Sequence, residues 1–433
     1  MKKDTAVIIL AAGKGKRMKS EMPKVLHPVC GRPMIGYVFD LAKDLKPYKT
    51  IVVLGHKYKE VQDFIQCRGG PCVRPFIGHN IKSVVQKQLI GTADAVQQAL
   101  SLLKSFSGNV LVLYGDVPLL KKETIEKLLK QHIENKSIAT LMTANVADAS
   151  GYGRIIRDKY WSICSIVEDK DANEFQKEIK EINTGIVCFD KDKLSRALKN
   201  VRADNRKKEY YLTDVIGILY KMGFLIDYMN LADINEALGI NSRVDLAKAN
   251  SFMRQRINKK YMEQGVTIID PVSTHINHGV EIGIDTVIYP FTVIEKNVKI
   301  GNKCSIGPFA RLREGTRLDN NVVVGNFLEI ARSKLGQNTL AKHFSYIGDS
   351  IIGQGVNIGA GTVTANFDGK NKNTTIIKDE AFIGSDTVLV APVKIGKGAK
   401  TGAGSVVTRN NNVADYKTVA GVPARNIKQK TEK

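Results

Sequence analysis

Long apolar runs are absent from this 433-residue sequence. No stretch reaches the roughly 18 consecutive apolar residues that a membrane-spanning helix requires. The first residues, MKKDTAVIILAAG, resemble a secretory signal, but the charged KGKRMKS follows at once and no small-residue cleavage site is present. We therefore expect a cytoplasmic protein without membrane insertion, and we expect the apolar stretch to be a core strand.

Cysteine is scarce and scattered. The six cysteines, at positions 30, 67, 72, 164, 188 and 304, form no CxxC pair. This pattern fits reduced, mostly buried thiols better than a disulfide or zinc framework. Hydrophobic residues make up 43% of the chain and charged residues 25%, as in soluble globular proteins. The length favours two domains.

Acidic residues are outnumbered: 43 Asp and Glu face 65 Lys and Arg, which gives a formal net charge of +22. A polynucleotide site would cluster the cations. Even the densest stretch, LKNVRADNRKKEYY at 198–211, is interleaved with acidic and neutral residues. We therefore expect no nucleic-acid partner, although the positive field can attract small anions such as nucleotides and sugar phosphates.

Residues 1–231 alternate between apolar strand-like runs and amphipathic helical ones. TAVIILAAG, KTIVVLGH, NVLVLYGD and IATLMTAN are predicted strands, and DAVQQALSLLK and ETIEKLLKQHIE are predicted helices. This alternation is typical of an α/β domain with a mostly parallel sheet, whose ligands gather at the carboxyl ends of the strands. Residues 232–264 are predicted to form a linker that contains a connecting helix.

A six-residue rhythm characterises residues 265–433. Nine aliphatic residues follow one another at intervals of six: Ile282, Ile288, Ile294, Ile300, Ile306, Leu312, Leu318, Val324 and Ile330. The period predicts a hexapeptide β-helix with three hexads to each coil. The rhythm slips between Ile330 and Leu335, and TANFDGKNKNTT (364–375) interrupts it before it resumes at Ile377. We expect the interruption to be a loop ejected from a corner.

The loop GKGKRM after the first predicted strand does not fit a common nucleotide fingerprint. A dinucleotide-binding motif would have glycine where Met18 stands, and the GxxxxGK[ST] spacing of a Walker loop is absent. The loop instead offers unhindered backbone N–H groups beside Arg17 and, further on, Lys24. This combination suits a triphosphate.

An ordered series of motifs runs through the first 243 residues. It comprises LAAGKGKRMKSEMPKVLHPVCGRPMI, QLIGTADA, LYGDVPLL, GYGRI, IVEDKDA, EINTGI, EYYLTD and GINSR. The series resembles the bacterial bifunctional UDP-N-acetylglucosamine pyrophosphorylase/glucosamine-1-phosphate N-acetyltransferase family. The resemblance implies an N-terminal nucleotidyltransferase domain with a Rossmann-like mixed sheet, followed by a left-handed parallel β-helix of hexapeptide repeats that acts as an acetyltransferase.

In the first domain, the resemblance implies that UTP and N-acetylglucosamine-1-phosphate react with release of pyrophosphate. Asp116 and Asn241 would hold a Mg²⁺, and Arg17 and Lys24 would neutralise phosphate oxygens in a catalytic role. The nucleotide would lie against Leu10, Ala11, Ala12, Gly13, Lys24, Gln86, Gly91 and Thr92. The sugar side would be lined by Gly115, Gly153, Glu168, Asn183 and Asn241.

His343 alone among the seven histidines has a compelling context. It lies in AKHFSYIGD, just after the hexad slip, and NIGAGTVTANFDGKNK and FIGSDTVLVAP follow. These motifs resemble the acetyltransferase half of the same family. The resemblance implies that His343 takes a proton from the amine of glucosamine-1-phosphate as it attacks acetyl-CoA, a role that suits a neutral imidazole.

The remaining positions of the second site are also carried by the resemblance. The amino-sugar phosphate would contact Arg313, Tyr346, Asn357, Asn366 and Lys372. Acetyl-CoA would contact Ala360, Ser385, Ala403 and Arg425. In the family these residues come from neighbouring subunits, so an intact site implies a homotrimer.

Of the positions that depart from the family pattern, two bear on whether glucosamine-1-phosphate is the acetyl acceptor. Ala331 stands where a phosphate-binding lysine is usual, with Arg332 and Lys334 nearby, and Phe367 replaces a usual tyrosine. Two alternatives therefore stay open beside a bifunctional enzyme that makes UDP-N-acetylglucosamine. The β-helix could be a structural or regulatory module of a monofunctional sugar-1-phosphate nucleotidyltransferase, or the acetyl acceptor could be a different amino-sugar phosphate. A basic scaffold for polynucleotides is a third hypothesis.

Overall fold

The computed structural model describes residues 4–66 and 81–427. The chain folds into two compact units. The first comprises the residues up to Val29 together with Pro33–Asn250, and the second comprises Cys30–Arg32 together with the chain from Ser251 onward.

The first unit is built from alternating strands and helices. Its region of the chain contains the strands β1 (Thr5–Ala11), β2 (Pro28–Val29), β3 (Arg32–Pro33), β4 (Thr50–Leu54), β5 (Ile81–Val85), β6 (Asn109–Tyr114), β7 (Ala139–Asn145), β8 (Gly153–Arg157), β9 (Ile163–Val167), β10 (Glu181–Asp190) and β11 (Asp227–Asn230). The helices are α1 (Met34–Asp44), α2 (Tyr58–Gln66), α3 (Thr92–Leu100), α4 (Lys122–Glu134), α5 (Glu174–Lys177), α6 (Lys191–Leu198) and α7 (Asp214–Lys221). Short 3₁₀ turns cover Lys16–Met18, Lys24–Leu26, Ser101–Leu103 and Ile234–Ala237. Helix α8 (Arg243–Glu263) lies where the connecting helix was expected.

The main sheet of the first unit is mixed. Its strands run in the order β11-β7-β10-β6-β1-β4-β5, with β8 and β9 attached beside β10. Strand β1 is parallel to β4 and β6, whereas β10 is antiparallel to both of its neighbours. The four predicted strands are β1, β4, β6 and β7, and every residue of β1 and β4 is buried. Burial on both faces explains their unbroken apolar sequences.

The second unit is a three-sided prism, and we number its faces in the order in which the chain reaches them. The first face consists of Thr267–Ile268, Val287–Ile288, Ser305–Ile306, Val323–Val324, Leu340–Ala341, Asn357–Ile358, Phe382–Ile383, Lys400–Thr401, Thr418–Ala420 and Arg425–Asn426. The second face consists of His275–Ile276, Val293–Ile294, Arg311–Leu312, Leu328–Ala331, Ser345–Gly348, Val363–Ala365, Val388–Val390 and Val406–Val407. The third face consists of Glu281–Ile282, Lys299–Ile300, Arg317–Leu318, Lys334–Leu335, Ser350–Ile352, Thr375–Ile377 and Val393–Ile395.

The six-residue rhythm places successive aliphatic residues on successive faces. Ile288 pairs in parallel register with Ile306, and Ile306 with Val324, so that each coil stacks on the previous one. All nine residues of the rhythm lie in or against the core of the prism, and only Ile282 is partly exposed. Each fully buried side chain contributes about 1.5–3 kcal/mol before the cost of ordering it. The predicted β-helix is confirmed.

The slip in the rhythm shortens the coils without breaking them. Strands Leu328–Ala331 and Ser345–Gly348 have four residues, longer than most strands of the prism, and Leu318, Leu335 and Ile352 still stack on the third face. The interruption is a loop between Val363–Ala365 and Thr375–Ile377, after which Ile377 pairs with Ile352. The predicted corner loop is therefore confirmed.

Within the described ranges, the cysteines are free thiols and the helices do not span a membrane, as the composition predicts. Cys30, Cys188 and Cys304 are buried free thiols and Cys164 is half-buried, while Cys67 and Cys72 lie outside the described residues. Across residues 4–66 and 81–427, no helix combines the length and apolarity needed to cross a membrane.

Candidate active sites

The loop after β1 begins at the carboxyl edge of the main sheet. Leu10 and Ala11 end β1, Ala12 is buried beyond it, and Gly13 and Arg17 are exposed. Gly15 has a positive φ of 62°, and an added Cβ would lie 2.7 Å from Cβ of Lys24. Glycine is therefore needed where this loop crosses the lysine, and the loop backbone stays accessible.

Lys24 joins the two predicted metal ligands. Its Nζ contacts Oδ2 of Asp116 and lies 2.7 Å from Oδ1 of Asn241. Asp116 follows β6 after a single glycine, and its carbonyl accepts a hydrogen bond from Ile240 N at 3.0 Å. Asn241 is fixed in turn because its backbone N–H donates to Asp245 at 3.0 Å. Three positions distant in sequence thus converge at one point of the sheet edge.

The donor set at this point fits Mg²⁺. Both oxygens approach the same nitrogen atom, so they lie close enough together to share one cation. A carboxylate and an amide oxygen are hard ligands, and Mg²⁺ is usually held by one or two protein oxygens together with water and phosphate. Within the described parts of the chain, no group of three or more His, Cys, Asp or Glu side chains could hold a metal. A two-oxygen site is consistent with that finding.

Gln86, Gly91 and Thr92 lie around the amino end of α3. The Gln86 amide donates to the Gly91 carbonyl at 2.9 Å and to Asp94 at 2.7 Å, and its side chain is buried. Gly91 has a φ of 135°, and an added Cβ would meet the Tyr210 carbonyl at 2.2 Å. Thr92 accepts a hydrogen bond from Leu212 N at 2.9 Å. The segment that contains Tyr210 and Leu212 therefore contacts Gly91 and Thr92, and Gln86 is held in turn by its bond to Gly91.

Gly153, Glu168 and Asn183 form a second group. Gly153 pairs with Asn183 across β8 and β10, and an added Cβ on Gly153 would lie 3.7 Å from the Glu168 carboxylate. Thr213 donates its hydroxyl to Glu168 at 3.0 Å. Burial raises the pKa of Glu168, and the Thr213 hydrogen bond partly opposes that shift. Tyr210 and Thr213 are therefore functional residues that the sequence did not reveal individually, although both lie in the motif EYYLTD.

Gly115 follows β6 and lies beside the end of β1. Its N–H donates to the Leu10 carbonyl at 2.9 Å. An added Cβ would stand 3.2 Å from Val25 and 3.3 Å from Ala11. The absence of a side chain thus keeps the end of β6 close to β1.

In the second unit, four predicted residues line one edge of the prism. His343, Ala360, Ser385 and Ala403 all lie at the corner between the first and second faces, on successive coils. Backbone hydrogen bonds connect these corners: Gly361 N donates to Phe344 O at 2.7 Å, Asp386 N to Ala360 O at 2.6 Å, and Gly404 N to Ser385 O at 2.8 Å. His343, Ser385 and Ala403 are exposed. The edge thus presents an imidazole followed by small residues.

A charged cluster covers the adjacent second face. Arg313 donates to Glu329 at 2.9 Å, and Arg332 donates twice to Asp349, at 2.6 and 2.7 Å. The Asn366 amide also contacts Asp349. The Arg332 bond is the largest cause of a lowered pKa at Asp349, and the positive charge of Lys372 adds to it. The structure thus groups the predicted Arg313, Asn366 and Lys372 with acids that sequence reasoning missed.

Tyr346 lies on the second face beside this charged cluster. It pairs with Glu329 in the neighbouring strand, and an added Cβ on Gly348 would meet its hydroxyl at 2.5 Å and the Asn366 amide nitrogen at 2.9 Å. Gly348 in turn pairs with Ala331, which is fully buried. Two small residues therefore let these side chains lie flat on the sheet.

Three positions lie apart from the cluster. Asn357 is on the first face, in the strand that directly precedes Ala360. Arg425 belongs to the last short strand of the first face. Lys334 lies on the third face, where its Nζ is 3.7 Å from Asp319.

Fold and geometry together define a nucleotidyltransferase unit joined to a hexapeptide-repeat transferase unit. Residues 7–209 match the MobA-like NTP transferase domain, and residues 374–409 match the bacterial transferase hexapeptide (six repeats). The second match confirms the left-handed parallel β-helix, and the first confirms the nucleotidyltransferase fold.

Curated relatives cover nearly the whole chain. The bifunctional protein GlmU of Thermosipho africanus is 45% identical over 93% of this chain and 92% of its own length. Those of Bacillus subtilis and Brevibacillus brevis are 42% and 41% identical and cover 93% and 94% of this chain, and 93% of each relative is covered. The chain belongs to the family of bifunctional GlmU proteins, as the motifs predicted.

Proposed function

We propose that the two units catalyse two reactions of UDP-N-acetylglucosamine synthesis. The second unit transfers an acetyl group from acetyl-CoA to glucosamine-1-phosphate. The first unit transfers a uridylyl group from UTP to the resulting N-acetylglucosamine-1-phosphate. The observation that carries the proposal is the convergence of Lys24, Asp116 and Asn241 at the carboxyl edge of a nucleotidyltransferase sheet. In this scheme residues 1–231, with Asn241 from the linker 232–264, serve uridylyl transfer, and residues 265–433 serve acetyl transfer.

Uridylyl transfer requires positioned charge more than covalent catalysis. An oxygen of the sugar phosphate attacks the α-phosphorus of UTP, and the bond to the departing pyrophosphate breaks. Lys24 and the exposed Arg17 neutralise the phosphate oxygens, and the loop from Leu10 to Gly13 offers its backbone to the nucleotide. Asp116 and Asn241 would hold Mg²⁺, which supplies electrostatic stabilisation of the reacting phosphates when bound.

The surrounding residues divide between base and sugar. Gln86, Gly91 and Thr92 would bind the uracil side, where the segment around Tyr210 contacts Gly91 and Thr92. Gly115, Gly153, Glu168 and Asn183 would line the ribose and amino-sugar side. Because Thr213 fixes the Glu168 carboxylate, that group is oriented before a sugar hydroxyl arrives.

Acetyl transfer requires a free amine as the nucleophile. The amine of glucosamine-1-phosphate attacks the thioester carbonyl, His343 accepts the amine proton, and coenzyme A leaves as its thiol after taking up a proton. General-base assistance of this kind is worth about 10²–10⁴ in rate. Arg313, Tyr346, Asn357, Asn366 and Lys372 would bind the acceptor. Ala360, Ser385 and Ala403 would bind acetyl-CoA along the edge that carries His343, and Arg425 would bind it from the last strand of the first face.

A homotrimer is part of the proposal. Phe291, Phe309 and Phe327 stack along the edge that continues to His343, with ring centroids 4.9 and 5.0 Å apart, and about half of each side chain is exposed. A contiguous exposed apolar patch of this kind marks an interaction surface, and aromatic side chains contribute strongly to such surfaces. A neighbouring copy packed there would lie beside the edge that carries His343.

Two assays on one preparation test the function. Thiol release is measured with acetyl-CoA and glucosamine-1-phosphate, and pyrophosphate release with UTP and N-acetylglucosamine-1-phosphate. We expect both products, and we expect removal of Mg²⁺ by a chelator to stop pyrophosphate release only. If no amino-sugar phosphate releases thiol, the β-helix is a structural or regulatory module. If thiol is released only with another amino-sugar phosphate, the assignment of glucosamine-1-phosphate as the acceptor is wrong.

A further inference from the structure

Arg332 and Asp349 occupy equivalent corners of successive coils. Both have left-handed backbones, with φ of 51° and 48°. In the preceding coil Arg313 is followed two residues later by Gly315, whose added Cβ would lie 3.4 Å from Cγ of Arg332. The arginine stem thus packs against Gly315, and its guanidinium lies beside Tyr346 of the second face.

The guanidinium is held in a fixed plane. Nε and Nη2 donate to the two oxygens of Asp349 at 2.6 and 2.7 Å. This pairing is the largest cause of a raised pKa at Arg332, and a further hydrogen bond that the guanidinium donates to the Tyr346 oxygen adds to it. About a third of the Arg332 side chain is exposed, compared with a sixth of Asp349. An arginine fork that fits a carboxylate also fits two phosphate oxygens. Arg332 is thus both oriented and reachable.

Neighbouring candidates for the same role are less well placed. Ala331 has no charge and is fully buried beneath the cluster. Lys334 lies on the third face beside Asp319. Arg313 is on the correct face, but it supplies one cation for a group that carries up to two negative charges.

We propose that Arg332 binds the phosphate of the acetyl acceptor and that Asp349 is a positioning residue that orients both Arg332 and Asn366. The inference rests on the acetyl transfer proposed above. It predicts that the guanidinium exchanges part of its contact with Asp349 for phosphate oxygens, while Asp349 keeps its bond to Asn366. Arg332 is then a determinant of specificity for phosphorylated amino sugars.

Steady-state kinetics of thiol release test the role of Arg332. For Arg332→Gln we expect the KM for glucosamine-1-phosphate to rise about 10- to 100-fold, the loss that follows removal of a charged hydrogen bond. The KM for acetyl-CoA should stay within a factor of about two, because its contacts lie along another edge. Arg332→Lys should recover part of the loss. The matched control is Arg311→Gln, which removes a more exposed arginine that pairs with Glu295 at 2.7 Å on the same face.

A second acceptor distinguishes a role of Arg332 in phosphate binding from a role in the structure of the site. With unphosphorylated glucosamine, wild type and Arg332→Gln should give equal kcat/KM, because no phosphate is present. For Asp349→Asn we expect a smaller rise in KM with a fall in kcat, since Asn366 loses its anchor. Asp349→Asn also provides the test if Arg332→Gln does not fold.

Each result decides one question. If the wild type releases thiol but Arg332→Gln leaves the KM for glucosamine-1-phosphate unchanged, the inference is overturned and acetyl transfer stands. Equal losses with both acceptors likewise overturn it, because they would show a structural role. If the wild type releases no thiol with glucosamine-1-phosphate, the proposed acetyl transfer fails first and the inference with it.

Discussion

Gly348→Ala should impair acetyl transfer without touching a reacting group. The added Cβ would lie 2.5 Å from the Tyr346 hydroxyl and 2.9 Å from the Asn366 nitrogen. An ordinary contact is about 3.5 Å, so the hydroxyl must retreat by about 1 Å. A displacement of that size in a positioning group costs about 10²-fold. We expect kcat/KM for glucosamine-1-phosphate to fall by about that factor in the thiol-release assay.

The same variant should retain its fold and its other activity. Gly348 is not among the positive-φ glycines, so alanine adds no backbone strain, and the ends of two side chains can move. Gly217→Ala in α7 is the control, because its added Cβ meets nothing nearer than 3.7 Å and both activities should persist. If Gly348→Ala keeps full kcat/KM for the acceptor, Tyr346 and Asn366 do not position the acceptor.

Three further predictions concern other parts of the molecule. Gly91→Ala forces a Cβ to 2.2 Å from the Tyr210 carbonyl, so pyrophosphate release should fall by at least about 10²-fold while thiol release is unchanged. Phe309→Lys interrupts the exposed aromatic stack, so sedimentation should show monomers that lose thiol release; a trimer that persists would contradict the proposed interface. Burial lowers the pKa of His132 to about 4, below its unfolded value of about 6.5. The contribution of His132 to the free energy of unfolding is therefore complete above pH 6.5 and declines by about 3 kcal/mol as the pH falls through 4. Denaturant titrations at several pH values should show this decline in the wild type, and His132→Gln should not show it.

Structural features that depend on a residue and its near neighbours in the sequence were predictable. Strands β1 and β4 are buried on both faces, so their sequences are continuously apolar. The prism needs one aliphatic side chain in each hexad, which makes its period visible from Ile282 to Ile330. The loop after Ala365 was predictable because the rhythm resumes in register at Ile377.

Contacts between distant segments were not predictable in the same way. Tyr210 lies against Gly91 only because the chain returns across the amino end of α3. Arg332 and Asp349 lie 17 residues apart in the sequence, and they meet only because successive coils stack their equivalent corners. The convergence of Lys24 with Asp116 and Asn241 came from family resemblance, because no local pattern relates these three positions.

The most direct test of two independent active sites is a pair of variants, Asp116→Ala and His343→Ala, assayed side by side for pyrophosphate and thiol release. Asp116→Ala should lower pyrophosphate release by about 10²–10³-fold and leave thiol release at the wild-type rate. His343→Ala should lower thiol release by about 10²–10⁴-fold and leave pyrophosphate release unchanged. Loss of both activities in either variant, or of neither, would contradict the assignment of one reaction to each unit.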